Sequence, residues 1–502
     1  MSIFQQKAEK RKQEIADRLE YHPESSKTPV FDPGTLHYEI SDRIKATSTG
    51  GIGMIHQLVR FLGIPEQIDS RLHLLKQHLP YHESDHLLNL IYNFVCGGDC
   101  LDDIELLRNN PAYLDALGTR RIPDPTTAGD FLRRMGYDDN LELMNILNDI
   151  NNRAWKLIET AKDNAILDID SKVEETYGEC KEGMDMSYKG QWGFHPLVVT
   201  ESTTSTHVGF AFRSGNAASA GSDADWLIDY SIDRVTPHFN RVFLRGDSAF
   251  SLTYKFDSLD KRNVGFCFGY KSTAGLTAHA DLLTQSDWKR FHKHQKPKSE
   301  SYRPRKRKTR VKEKRVRERG YHNITTEREF VAEFPYQPNN CDQIYRMIVL
   351  RKEIRVEKGQ LRFENEFRDF FYITNIKDMS PAEVVEFIRD RCNHENLLQQ
   401  LSGGVHALKT PTCEFNANWA FMLLGAFAWN LKSWLAFNIQ DAEKRNILRR
   451  MKYKKFVREI IYLPAQILRT GRSTVFRLLH VNDWTVELHK TFLALKQSSC
   501  PG

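Results

Sequence analysis

The stretch AILDIDSKVEETYG, residues 165–178, constrains the fold of this chain more than any other. Ile166, Leu167 and Ile169 are strand formers, so the run reads as a buried strand. Side chains alternate along a strand, which sets Asp168 and Asp170 on the face of Ile166 and turns Leu167 and Ile169 to the other. Two carboxylates on one half-buried face repel each other and resist desolvation unless positive charge lies close by. The fold must therefore open this strand to water or bring a cation to it. A strand end with a solvated acidic edge meets that condition, and so does a metal site.

The periodicity around the strand divides the chain. A length of 502 residues exceeds one ordinary core, so several domains are expected. Residues 50–155 read as helical throughout. SDHLLNLIYNFVCGG opens on a Ser/Asp cap and stops at Gly97-Gly98, and PDPTTAGDFLRRM carries Thr127 three residues before Asp130 as a capping box. From 165 the pattern turns to strands: AILDID, HPLVVTE and THVGFAFRSGN, then a helix near DADWLIDYSI, then a fourth strand in RVFLRGDSAF. Beyond 255 the text is mixed, with strand-like IYRMIVLRKEIRV and FFYITNI, and from 380 it reads as helical to the end. The expected divisions are an N-terminal arm at 1–49, a helical region at 50–155 and a first core segment at 160–255. An insertion at 256–378, a second core segment at 379–440 and a basic helical region at 441–502 complete them. Within the last, residues 443–460 read as a cationic helix with Ile447, Met451 and Val457 inward.

The net charge is only +7, yet Lys289–Arg319 holds sixteen Lys or Arg against three Glu, which leaves the rest of the chain net acidic. A block this poor in apolar residues cannot build a core and repels itself unless phosphates or counterions neutralise it. It is either a solvated charge run or a polyanion-binding arm. The eight cysteines have no framework spacing and suit a reducing cytoplasm; Cys96-x3-Cys100 reads as helix-end packing, not a zinc site. The N-terminus is charged and lacks the apolar core of a secretory signal. FNANWAFMLLGAFAWNLKSWLAF, residues 415–437, is broken by Asn and Lys and suits a buried core helix better than a membrane span.

Two further acids stand out. VFLRGDSAF closes its apolar run on Gly246-Asp247, placing Asp247 at a strand's carboxyl end, where α/β sheets form their sites; Asp after Gly is also ordinary turn chemistry. SPAEVVEFIRDRCNHENLLQQL opens with Ser380 as N-cap, Pro381 in the first turn and Glu383 closing a capping box. Counting along it by three and four puts Glu395 one turn beyond Arg391 on the same face, as a plain Arg–Glu pair or as a functional acid. Strand Asp, strand Asp and helix Glu together form the oxygen-rich set that two divalent ions need for in-line displacement at a phosphodiester.

Those residues resemble a DDE-type insertion-sequence transposase, most like the insertion-sequence-1380 family. LDIDSKVEETYG resembles that family's segment with the first Asp, YKGQWGFHPLVV the strands after it, RGDSAF the second Asp block and IRDRCNHENLLQQL the Arg and Glu block. GGDCLDDIELLRNNP and PDPTTAGDFLRRM resemble its amino-terminal half. The resemblance implies an α/β RNase H-like catalytic core, a mixed sheet with flanking helices. An all-α N-terminal region would bind the DNA ends, and a β-rich insertion would lie between the second Asp and the Glu. It implies Asp170, Asp247 and Glu395 as catalytic metal ligands, with Asp168 a further candidate whose role stays open. The expected cofactor is two Mg2+ ions, with Mn2+ able to substitute. The expected partners are double-stranded DNA, both inverted repeats and target, and a second copy of the chain in a paired-end complex in the cytoplasm, with no membrane.

DNA contacts are expected from Arg389 and Arg391 and from Lys306, Arg307, Lys308 and Arg310 of the basic block. The chain departs from the family helix in having Ile388 in place of a Tyr and Ser402 in place of a Lys, with Lys409 or the basic block as the source of the missing charge. An RNase H-like nuclease without strand transfer, and a domesticated sequence-specific DNA-binding protein that would have lost an acid, are the competing classes.

Overall fold

The computed structural model describes residues 2–20, 36–38, 44–78, 80–158, 163–292, 322–358, 361–362, 366–470 and 473–497. Lys306, Arg307, Lys308 and Arg310 lie outside them. The elements that frame the site are, in chain order, α1 (Tyr137–Trp155), β1 (Asn164–Ser171), β2 (Leu197–Glu201), β3 (Thr206–Ala211), β4 (Arg241–Gly246) and β5 (Val264–Tyr270). Then come β6 (His322–Tyr336), β7 (Tyr345–Lys358), β8 (Glu366–Thr374), α2 (Pro381–Arg389), α3 (Cys392–Gly403), α4 (Phe415–Phe437), β9 (Ala465–Thr470) and β10 (Ser473–Leu478). The chain forms two units, one of residues 1–162, 172–217 and 396–502, the other of 163–171 and 218–395. Neither is continuous in sequence.

The second unit is built on a mixed sheet. β1, β4 and β5 run parallel, and β5, β8, β7 and β6 continue the sheet antiparallel. Parallel neighbours need a crossover, and helix Ser222–Val235 lies between β1 and β4 in the chain for that purpose. The strands between Asp247 and Glu395 thus belong to the same sheet as the acidic strands. One face is covered by α2, whose Val384, Val385 and Ile388 pack with Phe243, Ile348 and Leu350. The capping box of α2 forms as expected, Ser380 Oγ accepting from the Glu383 amide and the Glu383 carboxylate accepting from the Ser380 amide.

The first unit is organised around α4. It is long and apolar enough to cross a membrane, yet its whole apolar window is buried among helices. Burying each of its large side chains contributes about 1.5–3 kcal/mol. Its polar residues, which break the membrane pattern in the sequence, are spent on the interior. Asn430 accepts from the His207 amide and donates to the His207 carbonyl, while Asn151 of α1 also donates to that carbonyl and Asn148 to the Val208 carbonyl. Helix side chains thereby take up backbone groups of β3 that no strand pairs. Lys432 donates to the carbonyls of Arg449 and Met451, ending helix Ala442–Arg450; burial pushes its pKa well down.

Five sequence expectations change; the helix read as opening on Ser84 and Asp85 starts at Glu83 with His82 as its N-cap, the His82 amide donating to the Asp85 carboxylate. The single helix from 380 onward is two, α2 and α3, separated by a turn at Arg391. The chain is not helical to its end, because β9 and β10 pair antiparallel, with Ala465 opposite Leu478 and Thr470 opposite Ser473. Helix Pro125–Leu132 is capped by Asp124, which accepts from the Thr127 amide; Pro125 suits the first turn, where no amide hydrogen bond is lost. The cationic 443–460 helix breaks at Met451, and Ile447 is exposed while Leu448 takes the buried place.

Candidate active site

The site lies at the carboxyl ends of β1 and β4 in the second unit. The parallel register pairs Asp168 with Arg245. Two residues further along each strand, on the same face, come Asp170 and Asp247, so adjacent strands carry both acids to one end of the sheet. Asp247 turns out of β4 as the N-cap of a short 3-10 turn, its Oδ1 accepting from the Ala249 amide at 2.8 Å. That turn passes close over β5: a Cβ on Gly269 would stand 3.1 Å from the Ser248 nitrogen. Glycine there gives the acid-bearing turn its room.

The two aspartates of β1 have different partners. Asp168 is fully buried and accepts a two-pronged contact from Arg245, Nε to Oδ1 at 2.7 Å and Nη2 to Oδ2 at 2.8 Å. Arg245 is itself buried, donates from Nη1 to the Phe387 carbonyl of α2 at 2.5 Å and lies over the Phe387 ring. Asp170 is partly open to water. Its Oδ1 accepts from the Ser171 amide at 2.8 Å, and its Oδ2 accepts from Arg391 Nη1 at 2.9 Å. The cation that the opening strand demanded is therefore two arginines, one for each acid.

Arg391 reports the local field. Burial alone would lower its pKa, but the charge and hydrogen bond of Asp170, then the charges of Asp247 and Asp168, raise it above the ordinary guanidinium value. Three carboxylates thus act on one cation. Asp170 at the end of one strand and Asp247 just past the end of its neighbour are hard oxygen donors of the kind that suits a divalent ion and phosphate chemistry.

Residues 42–500 match the family described as transposase DDE domain, group 1. The chain belongs to the DDE transposase family. No curated protein sequence matches it. Among solved structures, a piggyBac transposase synaptic complex with hairpin DNA is similar at 10% identity and TM-score 0.39, covering 92% of this chain and 89% of that one.

Glu395 lies in the first turn of α3, where a carboxylate suits the positive end of the helix dipole; its side chain is outside the described residues. Arg389 is held by Glu329 through two nitrogens, at 2.6 and 3.2 Å, and lies over the Phe291 ring. That contact ties α2 to β6. Arg391 lies in the turn between α2 and α3 and reaches across to Asp170. Ile388, at the family's Tyr place, is buried in the core under α2. In the first unit, Ser402 donates to Glu174, and Lys409 pairs with Asp99 at 2.9 Å.

Among the described residues, Asp99, Cys100 and Asp103 are the group of possible metal ligands that lie within 4.8 Å of one another. The Asp103 carboxylate there accepts from the Asp99 and Cys100 amides, which is the chemistry of a helix start. Sequence reading missed Arg245. Its signal was present, since Arg245-Gly246-Asp247 repeats the two-residue spacing of Asp168-Ile169-Asp170.

Proposed function

We propose that this transposase, as a member of the insertion-sequence-1380 family with an RNase H-like core, cuts and joins phosphodiester bonds at the terminal inverted repeats of its own insertion sequence. Asp170, Asp247 and Glu395 hold two divalent ions, Mg2+ or in substitution Mn2+. The observation that carries this reading is that, in a chain of this family, adjacent parallel strands bring Asp170 and Asp247 to one end of the sheet, where Arg391 pairs with Asp170. The chemistry of Asp170 and Asp247 fits such ions: both are hard carboxylates at the ends of adjacent strands, partly open to solvent, and a guanidinium already pairs with Asp170. Bound ions supply an activated water and charge stabilisation at the leaving oxygen.

The chain's own residues do the positioning. Arg391, beside the acids, binds a phosphate next to the scissile bond, and its planar fork orients what a point charge would only attract. Asp168 is not a metal ligand in this reading, because both of its oxygens accept from Arg245. Lys306, Arg307, Lys308 and Arg310 contribute sequence-independent attraction to the DNA backbone, and two copies of the chain pair the ends within the cytoplasmic nucleoid.

The test is cleavage and joining of a duplex carrying the DNA that flanks the reading frame, in Mg2+. Cutting followed by joining is expected. Cutting without joining would leave a nuclease, and end-binding without cutting would leave a DNA-binding protein. Neutralising the four basic-block residues should weaken binding to all sequences alike and flatten its salt dependence; an unchanged salt slope would remove the block from the DNA interface.

A further inference from the structure

We infer that Arg245 is a positioning residue: through Asp168 and the Phe387 carbonyl it selects the strand register that sets Asp170 and Asp247 at the same end of two adjacent strands, and it fixes the end of α2 from which Arg391 returns. The inference rests on the reading of Asp170 and Asp247 as the metal-binding acids.

β1 carries aspartates at two successive same-face positions, so Arg245 has two candidate partners on it. Sliding β4 by two residues keeps every inward side chain inward, and alternation of apolar residues does not forbid it. Such a slip would set Arg245 against Asp170, neutralise the acid that the chemistry needs, and carry Asp247 away from it by roughly 6.6 Å, two residues of strand rise.

Two features select the observed register. Asp168 is fully buried, so a register without Arg245 opposite would leave a carboxylate with neither water nor its guanidinium. The Phe387 carbonyl then fixes Arg245 from the helix side, at 2.5 Å, with the ring beneath the guanidinium at 4.7 Å. Nε, Nη1 and Nη2 are all engaged, and they reach β1 and α2 at once. Phe387 stands four residues before Arg391, with the end of α2 between them. One buried side chain therefore sets both strand ends and the start of the turn that carries the site's cation. A lysine offers a single ammonium and cannot make the two-sided grip.

The inference is tested with the full-length chain in two variants. Asp168→Leu with Arg245→Met removes both charges and refills the space, which in other proteins preserves stability. Arg245→Lys keeps the charge and loses the fork. The readouts are thermal melting, Mn2+ affinity by calorimetry without DNA, and kcat and KM on the flanking-DNA duplex. In the double variant kcat should fall about 100-fold with KM unchanged, as a displacement near 1 Å allows, and Mn2+ affinity should fall at least about tenfold, with melting within a few degrees of wild type. Arg245→Lys should move the same way by less.

A folded double variant with wild-type kcat or wild-type Mn2+ affinity overturns the inference and leaves Arg245 merely structural. If the double variant does not fold, Arg245→Lys decides by the same two readouts. A wild type that binds Mn2+ but does not cut refutes the transposase reading while Mn2+ affinity still judges Arg245. A wild type that neither binds nor cuts overturns both.

Discussion

Two ion pairs stand two residues apart on one strand face, and they differ in burial. The Asp168 and Arg245 side chains are 0% and 3% exposed, those of Asp170 and Arg391 16% and 15%. Both join a carboxylate of β1 to a guanidinium from elsewhere in the chain. In the buried pair the guanidinium grips both oxygens, and breaking it strands a charge in the protein. In the open pair a single nitrogen meets one oxygen, and water reaches both groups. Identical chemistry is thus a fixture at one depth and an exchangeable contact at the other. The difference teaches that a second acid on a strand need not be a second ligand; it can be what holds the first one in place.

Removing the proposed metal-binding acids tests that contrast most severely. Asp170→Ala, Asp247→Ala and Glu395→Ala should each lower cleavage on the order of 1000-fold or more while DNA binding survives, since several kcal/mol of charge stabilisation go with each ligand. A single variant that cuts at near the wild-type rate in Mg2+ removes that residue from the set.

Breaking the buried layer should instead cost stability. Asp168→Ala leaves Arg245 charged in the interior and should destabilise the protein by about 3–5 kcal/mol. Denaturant unfolding measures this, and a loss below about 1 kcal/mol would mean that water reaches the pair.

Arg391→Gln comes next. Cleavage should drop about 100-fold through misplacement of the scissile bond, with Arg391→Lys recovering part of the rate and melting almost unchanged. Unchanged cleavage with lowered stability would make the open pair a fixture like its neighbour, and the contrast would be lost.

The smallest effect belongs to the most exposed of the three pairs, Glu329 with Arg389, 18% and 25% exposed. Burial would raise the Glu329 pKa, but the hydrogen bond and charge of Arg389 overcome it and hold the carboxyl below its ordinary 4.5. A lowered folded-state pKa stabilises above the unfolded value and is lost as pH falls through the folded one. The pair's contribution should therefore be complete at neutral pH and fade below about pH 4.5, by less than about 1 kcal/mol given its partial exposure. Comparing the acid limb of stability in Glu329→Gln and wild type measures it; coincident limbs would assign the pair no role in acid stability.

Much of this was legible in the sequence because it is local. Alternation marked β1, and strand-like runs marked β2, β3, β4, β7 and β8; Ser380, Pro381 and Glu383 announced the start of α2; the Asn and Lys interruptions marked α4 as a core helix. Each signal lies within one element and reflects which face meets water or which amide needs a cap. The conflict of two aspartates on one face was legible too, as was the need for positive charge beside them. Which arginine answers which aspartate was not. Arg245 lies 77 residues from Asp168 and Arg391 lies 221 from Asp170, so no periodicity connects them. The break between α2 and α3 escaped for the same reason. Helical spacing continues through Arg391, while contacts at the break, Arg391 with Asp170 and Arg245 with the Phe387 carbonyl, come from distant strands. The sequence determined that acids would gather at strand ends. Only the tertiary structure decided which of them is sealed in and which stays open, because burial belongs to the packed sheet and not to the strand.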